Sequence, residues 1–461
     1  MDAAYLLAKN LVNIRYEDLP LNVVEATKKQ ILDLLAVALA GYAKPGVVEL
    51  FDILTTWGGK KESSIIYSNK RLPVLHAAQM NATMAHALDF DDVNDAAVVH
   101  PGVVIIPTSM AMAERKGNVS GREFVTATAL GIDMMCRLGL ASKPDVPLAK
   151  SGWLFTSLYG YLGAAGTAGR ILGLDEEGMV NAIGIAYHQC GGNLQTILDG
   201  GLSKRMGAGF AARGGITAAL MAEKGITGAK NCLEGEFGIY RLHLRGGYDP
   251  KALTTDLGKH FEGVNVSTKP YPCCRGIHCF IDAALAIVNT HNITPKDVKE
   301  ITIYTGEGHY PTLATPIETK CKPRNIVDAQ FSIPWGVAVA IARRKVTVEE
   351  YTETAIKNRD ILKVSGKIKV ELDTGLNRSD KIEPGRVKIM TKKGDIYSEQ
   401  VEDPLGSPRR PMSFDDCVKK FKDCASYSMK KLPEGRADRV IQLIGKLEKV
   451  GDVSEMMKLL T

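Results

Sequence analysis

The chain has 461 residues, of which 45% are hydrophobic and 24% charged, and its formal net charge is +6. This length exceeds what one ordinary hydrophobic core supports, so we expect two domains. Lysine and arginine are dispersed among the acidic residues, which argues against a nucleic-acid-binding surface but suits a small anionic substrate. The first residues match neither a secretory signal nor a transit peptide, so we expect a cytoplasmic protein.

Nine cysteines are scattered along the chain without CxxC pairs. This pattern predicts neither a disulfide framework nor a zinc site, and we expect the protein to bind no metal. The longest uncharged apolar stretch, 152–169, is interrupted by glycine, threonine and serine. It favours a buried helix over a membrane span, so we expect no membrane partner.

Helical periodicity dominates the first half of the chain. From residue 6 to about residue 247, apolar residues recur at intervals of three and four positions, as at Val23 and Ala26, and strand patterns are sparse. Small residues crowd 160–169 and 207–212, although each glycine costs a helix about 1 kcal/mol against alanine. We expect close helix packing, or a ligand against the backbone, to offset that cost.

Beyond Pro272 the pattern changes to short, alternating, β-rich runs. Two helix-length apolar segments accompany them, so a small sheet with helices on one face is the simplest arrangement. The strand segments are 298–306, 367–373 and 384–401, and the helical segments are 278–291 and 331–345.

Amphipathic helices return after the β-rich region, at 413–425 and 436–450. The chain therefore goes back to the helical part. We predict a mainly α fold with an α+β lobe, in which residues 1–264 and 404–461 form an all-helical domain and residues 265–403 form an inserted α+β lid domain.

The densest polar cluster lies in an otherwise apolar, helical region. His100 precedes Pro101, which holds it out of the helical conformation and places it at the mouth of a helix that Pro101 opens as first residue. An imidazole there can act as acid or base near neutral pH. The alternatives are a solvated loop whose carboxylates cap helices and a core histidine bonded to the backbone. The cluster consists of His86, Asp89, Asp91, Asp92, Asp95 and His100.

Two motifs suggest other chemistries. Residues 91–95 spell DDxxD, the magnesium-diphosphate motif of all-helical isoprenoid synthases, but the sequence lacks the second metal-binding motif of that class. Residues 207–212 fit a dinucleotide fingerprint, yet the segment before them is not a strand, as that mechanism requires. We therefore expect neither a magnesium site nor a nicotinamide cofactor.

Two further segments supply cations. Lys204 follows a Gly-Gly turn just before the second small-residue stretch, where it either faces a cleft or is an exposed lysine at a helix start. The segment 269–278 joins Lys269, Arg275 and His278 around two prolines at the predicted domain boundary. Arginine grips a carboxylate through two parallel hydrogen bonds, and small-molecule clefts form at domain boundaries. The alternative for this segment is a purely structural turn.

Six motifs in order resemble those of the MmgE/PrpD family, and the likeness covers nearly the whole chain. They are HALDFDDxxxxxxxHPG, a glycine-rich helix ending in GRILGL, SKRMGAGFAARGGITAALMAEKG, KPYPCCRGIH, DAQFSIPW and GSPRRPM. That family contains 2-methylcitrate dehydratases, cis-aconitate decarboxylases and an iminodisuccinate epimerase. The resemblance implies a large all-helical domain with a smaller α+β lid domain, a homodimer and no cofactor.

The resemblance also implies which residues form the active site. Carried over motif by motif, the catalytic positions are Asp89, His100, Lys204 and Lys269. We expect four further residues to contact the substrate, namely Arg275, His278, Thr156 and Cys274.

The chain departs from the family pattern at several positions. Leu154 stands where many members have a histidine in G-x-H-x-T, Gly207 replaces a common histidine, and Val93 stands where threonine often follows the acidic cluster. The spacing from Asp89 to His100 is one residue longer than in the decarboxylases. Losing two imidazoles while keeping both lysines changes which protons can be moved.

The expected chemistry is proton transfer at a carbon next to a carboxylate. Such a proton is weakly acidic, because its removal adds negative charge to a group that is already an anion. We expect Lys204, Lys269 and Arg275 to bind the substrate carboxylates and stabilise that charge. His100 moves the proton, and Asp89 orients His100.

Three reactions diverge from this shared intermediate. Loss of a β-hydroxyl makes a dehydratase, reprotonation on the other face an epimerase, and loss of carbon dioxide a decarboxylase. We expect a cofactor-independent, dehydratase-like lyase acting on a small di- or tricarboxylic acid, with His278 or Tyr271 protonating the departing hydroxyl. An iminodisuccinate-like epimerase and a cis-aconitate-like decarboxylase are the alternatives, and a catalytically inactive binding relative is the alternative of another class.

Overall fold

Helices make up most of the chain before residue 255 in the computed structural model, which describes residues 1–142, 151–378, 382–428, 432–433 and 435–461. Short 3₁₀ turns and two-residue ladders connect them. The helices of this part are α1 (Ala3–Asn13), α2 (Leu21–Gly41), α3 (Val47–Trp57), α4 (Val74–His86), α5 (Gly102–Lys116), α6 (Gly121–Leu140), α7 (Phe155–Leu172), α8 (Glu176–Tyr187), α9 (Gln195–Leu198), α10 (Gly207–Glu223), α11 (Ile239–Leu244) and α12 (Pro250–Thr254). The ladders are β1 (Ser63–Ser64) with β2 (Arg71–Leu72), and β3 (Val93–Asn94) with β4 (Val266–Ser267).

Strands and helices alternate after residue 277, and helices alone follow after residue 413. The mixed part contains α13 (His278–Thr290), β5 (Val298–Thr305), α14 (Ile317–Cys321), α15 (Ile326–Gln330), α16 (Ile333–Arg343), α17 (Arg359–Ser365), β6 (Ile368–Leu372), β7 (Gly385–Thr391) and β8 (Ile396–Val401). The last helices are α18 (Phe414–Ser426), α19 (Arg436–Gly445) and α20 (Ser454–Leu460).

The helix α7 lies at the centre of the helical part, where α5, α6, α8 and α10 pack around it. Its contact with α10 depends on small residues. A Cβ on Gly215 of α10 would lie 2.4 Å from the Ala164 Cβ of α7, and a Cβ on Gly160 of α7 would lie 2.8 Å from the Ala211 Cβ of α10. The predicted close approach of helices at both small-residue stretches is confirmed, and at these positions the neighbouring helix explains the glycines.

The four strands β5 to β8 form one mixed sheet in the order β6-β5-β7-β8. β5 runs parallel to β6 and antiparallel to β7, and β7 runs antiparallel to β8. Every second residue of β7 is buried, beginning with Gly385 and ending with Thr391, because α13 covers that face of β7 and β8. A tight turn joins β7 to β8, which therefore pair antiparallel. β5 and β6 are parallel, so the chain between them crosses over through helices.

The buried apolar side chains form two cores. One is built almost entirely from residues 3–266 and 405–460, and the other from residues 271–401. The helix α18 returns to the first core, where it packs against α2. A mainly α fold with an α+β part is therefore confirmed, while the division at residues 265 and 403 into two domains stays a prediction.

Two details of the helical part bear on the sequence analysis. The stretch 152–169 lies largely in the buried helix α7, and no helix among the described residues combines the length and apolar character of a membrane span. Pro101 is the N-cap of α5 rather than its first residue, since the helix begins at Gly102. His100 still lies directly before the helix, outside its hydrogen-bond pattern.

We predict that Gly215→Ala destabilises the protein by about 1–3 kcal/mol, because the new methyl group overpacks the α7–α10 contact. The matched control is Gly445→Ala at the end of α19, where the nearest atom to a Cβ would be the Phe414 Cζ at 3.9 Å. This control should be neutral or slightly stabilising. Urea unfolding of both variants tests the packing, and equal midpoints would contradict it.

Candidate active site

The loop 87–100, which we call the acidic loop, joins α4 to α5 and carries four aspartates. Three of these aspartates are buried and the fourth is half-buried. A carboxylate removed from water needs an ionic or hydrogen-bonded partner. Each aspartate of the acidic loop has its own ion-pair or hydrogen-bond partners. The loop is therefore part of a buried network of charges and not a solvated turn.

Asp89 forms ion pairs with two lysines inside the protein, and only 3% of its surface is exposed. The Lys269 Nζ lies 3.1 Å from the Asp89 Oδ2 and 2.8 Å from its backbone oxygen, and the Lys204 Nζ contacts the Asp89 Oδ1. Burial acts to raise the pKa of Asp89, but the charges of Lys204 and Lys269 outweigh it and hold that pKa well below its usual value. Asp89 is therefore a carboxylate shared by two cations.

Two structural links bring the lysines to Asp89. β3 of the acidic loop pairs with β4, whose last residue, Ser267, precedes Lys269 by two positions. α10 packs on α4 through Gly209, where any Cβ would overlap α4, and Lys204 lies in the 3₁₀ turn just before α10. Residues separated by more than 100 positions thus meet at one carboxylate.

Asp91 binds two histidines through a single oxygen. Its Oδ2 lies 3.0 Å from the Nδ1 of His86 and 3.0 Å from the Nδ1 of His100. Burial acts to raise the pKa of Asp91, but the two imidazoles outweigh it and hold that pKa well below its usual value. Burial also lowers the pKa of His86 to about 4, so at neutral pH His86 is uncharged and donates its Nδ1 proton to Asp91.

The surroundings of His100 define its tautomer. Its Nδ1 lies 2.6 Å from the backbone oxygen of Asp92, in addition to the Asp91 carboxylate. Both partners can only accept, so Nδ1 carries the proton and Nε2 carries the lone pair of the neutral ring. The side chain is 20% exposed, and the backbone N–H donates to the Thr156 Oγ1 at 2.9 Å. His100 is thus a fixed imidazole, and its Nε2, which has no hydrogen-bond partner in the described part of the chain, can accept a proton.

The other two aspartates hold structure together. Both carboxylate oxygens of Asp92 accept from the Gly102 N–H at 3.1 Å, so Asp92 caps α5. Asp95 accepts from the Ser267 Oγ at 2.7 Å and lies 3.4 Å from the Arg275 Nε. The DDxxD motif therefore does not converge on one point, and the described part of the chain contains no group of three His, Cys, Asp or Glu placed to hold a metal ion.

The predicted partner of His100 was wrong. We expected Asp89 to orient the imidazole, but both Asp89 oxygens are engaged by Lys204 and Lys269. The carboxylate against His100 is that of Asp91, two positions further along the acidic loop. The backbone at Asp89 has a left-handed φ of 52°, which aspartate tolerates, and this turn separates the directions of the two side chains.

Arg275 and His278 are engaged with each other and with backbone oxygens. The Arg275 Nη1 donates to the Leu405 oxygen at 2.9 Å and lies 3.1 Å from the His278 Nδ1. The His278 Nε2 lies 3.2 Å from the Cys273 oxygen, and the ring is fully buried. Both nitrogens of His278 are thus occupied, and this geometry does not support Arg275 as a carboxylate clamp or His278 as a substrate contact.

Three further predicted residues lie around the site. The Tyr271 hydroxyl donates to the Asp282 Oδ1 at 2.7 Å. Its proton is therefore not directed at a substrate. Thr156 holds the backbone of His100, as described above. Cys274 is half-buried, and burial raises the pKa of its thiol, with the negative charge of Asp89 adding to the effect. Substrate contacts of Thr156 and Cys274 stay predictions.

The structure explains one departure from the family pattern. A Cβ on Gly207 would lie 2.3 Å from the Ser157 Oγ. Ser157, near the start of α7, thus takes the space that a side chain at 207 would need. Leu154 is the N-cap residue of the same helix, so both positions without an imidazole lie at one end of α7.

The sequence analysis missed Lys420, which ties the site to the carboxyl-terminal helices. Its Nζ lies 2.7 Å from the Asp33 Oδ1 and 2.8 Å from the backbone oxygens of both Phe90 and Lys269. One ammonium group thus holds the residue after Asp89 and the backbone of its lysine partner. Lys420 lies in an amphipathic helix rich in lysine, and nothing in the local pattern distinguishes it from surface lysines.

Phe331, also missed, brings the α+β part to the site. Its ring lies 5.5 Å from the Lys204 Nζ, at the distance of a cation–π contact. Lys204 thus lies between Asp89 of the helical core and an aromatic ring of the α+β part. The predicted meeting of Lys204, Lys269 and His100 in one region agrees with this arrangement.

We predict that acid destabilises the protein partly through His86. Its pKa is lowered from about 6.5 to about 4 on folding, so the unfolded chain binds one more proton between these values and stability falls as pH drops through this window. The loss approaches roughly 3 kcal/mol at pH 4. Urea unfolding of His86→Asn at pH 7 and at pH 4.5 checks this, because the variant should lose less stability than the wild type. Equal losses would contradict it.

Comparison with known proteins finds relatives along nearly the whole chain. Residues 6–251 match the MmgE/PrpD N-terminal domain and residues 271–446 match the MmgE/PrpD C-terminal domain. The cis-aconitate decarboxylase-like protein oryM of Aspergillus oryzae is 26% identical, with 98% of this chain and 95% of the relative aligned. The cis-aconitate decarboxylase of Aspergillus terreus is 25% identical over 97% and 94%, and that of Homo sapiens 26% over 95% and 90%. The chain belongs to the MmgE/PrpD family.

Proposed function

We propose that the protein is a lyase that releases carbon dioxide from a small tricarboxylic acid, with cis-aconitate as the first candidate. Four relatives, each aligned over 89–94% of its own length, are named cis-aconitate decarboxylase. The observation that carries the proposal is an imidazole placed for proton transfer near a pair of lysines: the His100 Nδ1 proton is held by the Asp92 backbone oxygen, and its Nε2 has no hydrogen-bond partner among the described residues.

The two lysines have different exposures and so different roles. Together they bring two positive charges to the one carboxylate of Asp89. The Lys269 side chain is fully enclosed, whereas that of Lys204 is 10% exposed. We infer that Lys269 neutralises Asp89 and that Lys204 binds a substrate carboxylate and stabilises the negative charge developing next to it.

Decarboxylation needs one acid–base group. The bond between carbon and the departing carboxylate breaks, carbon dioxide leaves, and the electron pair stays on the substrate as an enolate-like anion. The His100 imidazolium donates its Nε2 proton to carbon, and the neutral ring then takes a proton from water.

Dehydration needs a second acid for the departing hydroxyl. The two candidates, His278 and Tyr271, are engaged by the Cys273 oxygen and the Asp282 carboxylate. Burial, followed by the charge of Asp282, also raises the pKa of Tyr271. Epimerisation needs proton transfer on both faces of one carbon. We therefore rank dehydration and epimerisation behind decarboxylation.

We predict that Lys204→Met lowers kcat for carbon dioxide release from cis-aconitate by roughly 100-fold or more, because a preorganised charge at the developing anion is lost. The matched control is Lys419→Met, at a residue whose side chain is 78% exposed; its kcat should stay within about twofold of the wild type. Carbon dioxide release and circular dichroism of each variant are measured together.

The outcomes separate the alternatives. Full activity in folded Lys204→Met would refute the role of Lys204. If the wild type releases no carbon dioxide but incorporates deuterium from heavy water into citrate-like acids, the protein catalyses another reaction of the same intermediate. A wild type that does neither, yet gains thermal stability from cis-aconitate, would be the inactive binding relative.

A further inference from the structure

Asp91 connects two imidazoles in an unsymmetrical way. Its Oδ2 accepts a hydrogen bond from His86 at 3.0 Å and lies 3.0 Å from the His100 Nδ1, while its Oδ1 is buried and has no hydrogen-bond partner among the described residues. The two rings lie edge to face, with their centroids 5.3 Å apart. Whatever negative charge Asp91 offers to His100 is therefore shared, through one oxygen, with His86.

The tautomer of His100 does not depend on this carboxylate. The backbone oxygen of Asp92 lies 2.6 Å from Nδ1 and accepts its proton, and Asp92 is held in place by its cap on Gly102. Removing the charge of Asp91 leaves this hydrogen bond intact. The contribution of Asp91 to His100 is therefore electrostatic.

His86 is suited to act as a permanent donor. It is the last residue of α4, its side chain is 4% exposed, and it stays neutral at pH 7. A neutral donor on the Asp91 oxygen stabilises the carboxylate and offsets part of its negative charge, which weakens its attraction for the imidazolium form of His100.

We propose that Asp91 and His86 are positioning residues that together set the proton affinity of His100, Asp91 raising it by its charge and His86 moderating it by donating to the same oxygen. The inference deepens the proposed function, since it rests on His100 as the proton carrier. It assigns a tuning role to a pair made of the last residue of α4 and one aspartate of the acidic loop.

Other titratable groups in the network around Asp91, His86 and His100 are common to the wild type and all variants named below. They come from the acidic loop itself, from α2, from the turn before α10, from the α+β boundary and from α18. These groups are Asp89, Asp92, Asp33, Lys204, Lys269 and Lys420. A difference between variants therefore reports on the Asp91–His86 pair.

The test uses three full-length variants and follows His100 by NMR in protein labelled at histidine Cε1, with no substrate present. Asp91→Asn should move the titration midpoint of His100 to lower pH by about one unit or more, since a neighbouring negative charge is lost. His86→Leu should move it to higher pH by about half a unit, since Asp91 then serves His100 alone. His86→Asn keeps an N–H donor near the Nδ1 position and should stay within about 0.2 units of the wild type.

Opposite shifts in Asp91→Asn and His86→Leu, with rescue in His86→Asn, support the proposal. Shifts in the same direction, no shift, or equal behaviour of the two His86 variants overturn it. If Asp91→Asn does not fold, the His86 pair alone decides. Because the titration needs no turnover, its result is independent of whether the protein releases carbon dioxide. The pH dependence of kcat then shows separately whether the same shifts reach catalysis.

Discussion

The site depends on one buried carboxylate that two ammonium groups share. Asp89 is only 3% exposed and cannot stay ionised there without compensation. Its partners come from the turn before α10 and from the start of the α+β part. The two ion pairs therefore hold these segments and the acidic loop in place relative to one another. Asp91 and His100 follow on the same short loop, and their geometry is set by the same constraint.

The secondary structure was largely predictable because its causes are local. The alternating apolar pattern of β7 and the three-and-four spacing of the helices are properties of neighbouring residues, and Ser413 caps α18 as its type and position suggest. The convergence of Lys204 and Lys269 was different. No spacing rule links positions 65 residues apart, and only the resemblance to a family brought them together in advance.

Two differences between the expected and the observed site have a common physical origin. Spacing along the acidic loop could not tell whether Asp89 or Asp91 lies beneath His100, because a left-handed residue at Asp89 changes the direction of the chain. Likewise, Arg275 and His278 look like free cationic groups in the sequence, yet backbone oxygens of Leu405 and Cys273 accept from them. Whether a polar side chain stays unpaired depends on the tertiary structure, because buried backbone acceptors also need hydrogen-bond donors.

The position of Lys420 has a consequence for local unfolding. It supplies the counter-charge for Asp33 and donates to the backbone on both sides of the Asp89–Lys269 pair. Detachment of α18 would leave Asp33 as a buried carboxylate without its ammonium partner, which is strongly unfavourable. The backbone around Asp89 therefore loosens together with α18, so the two regions open as one unit.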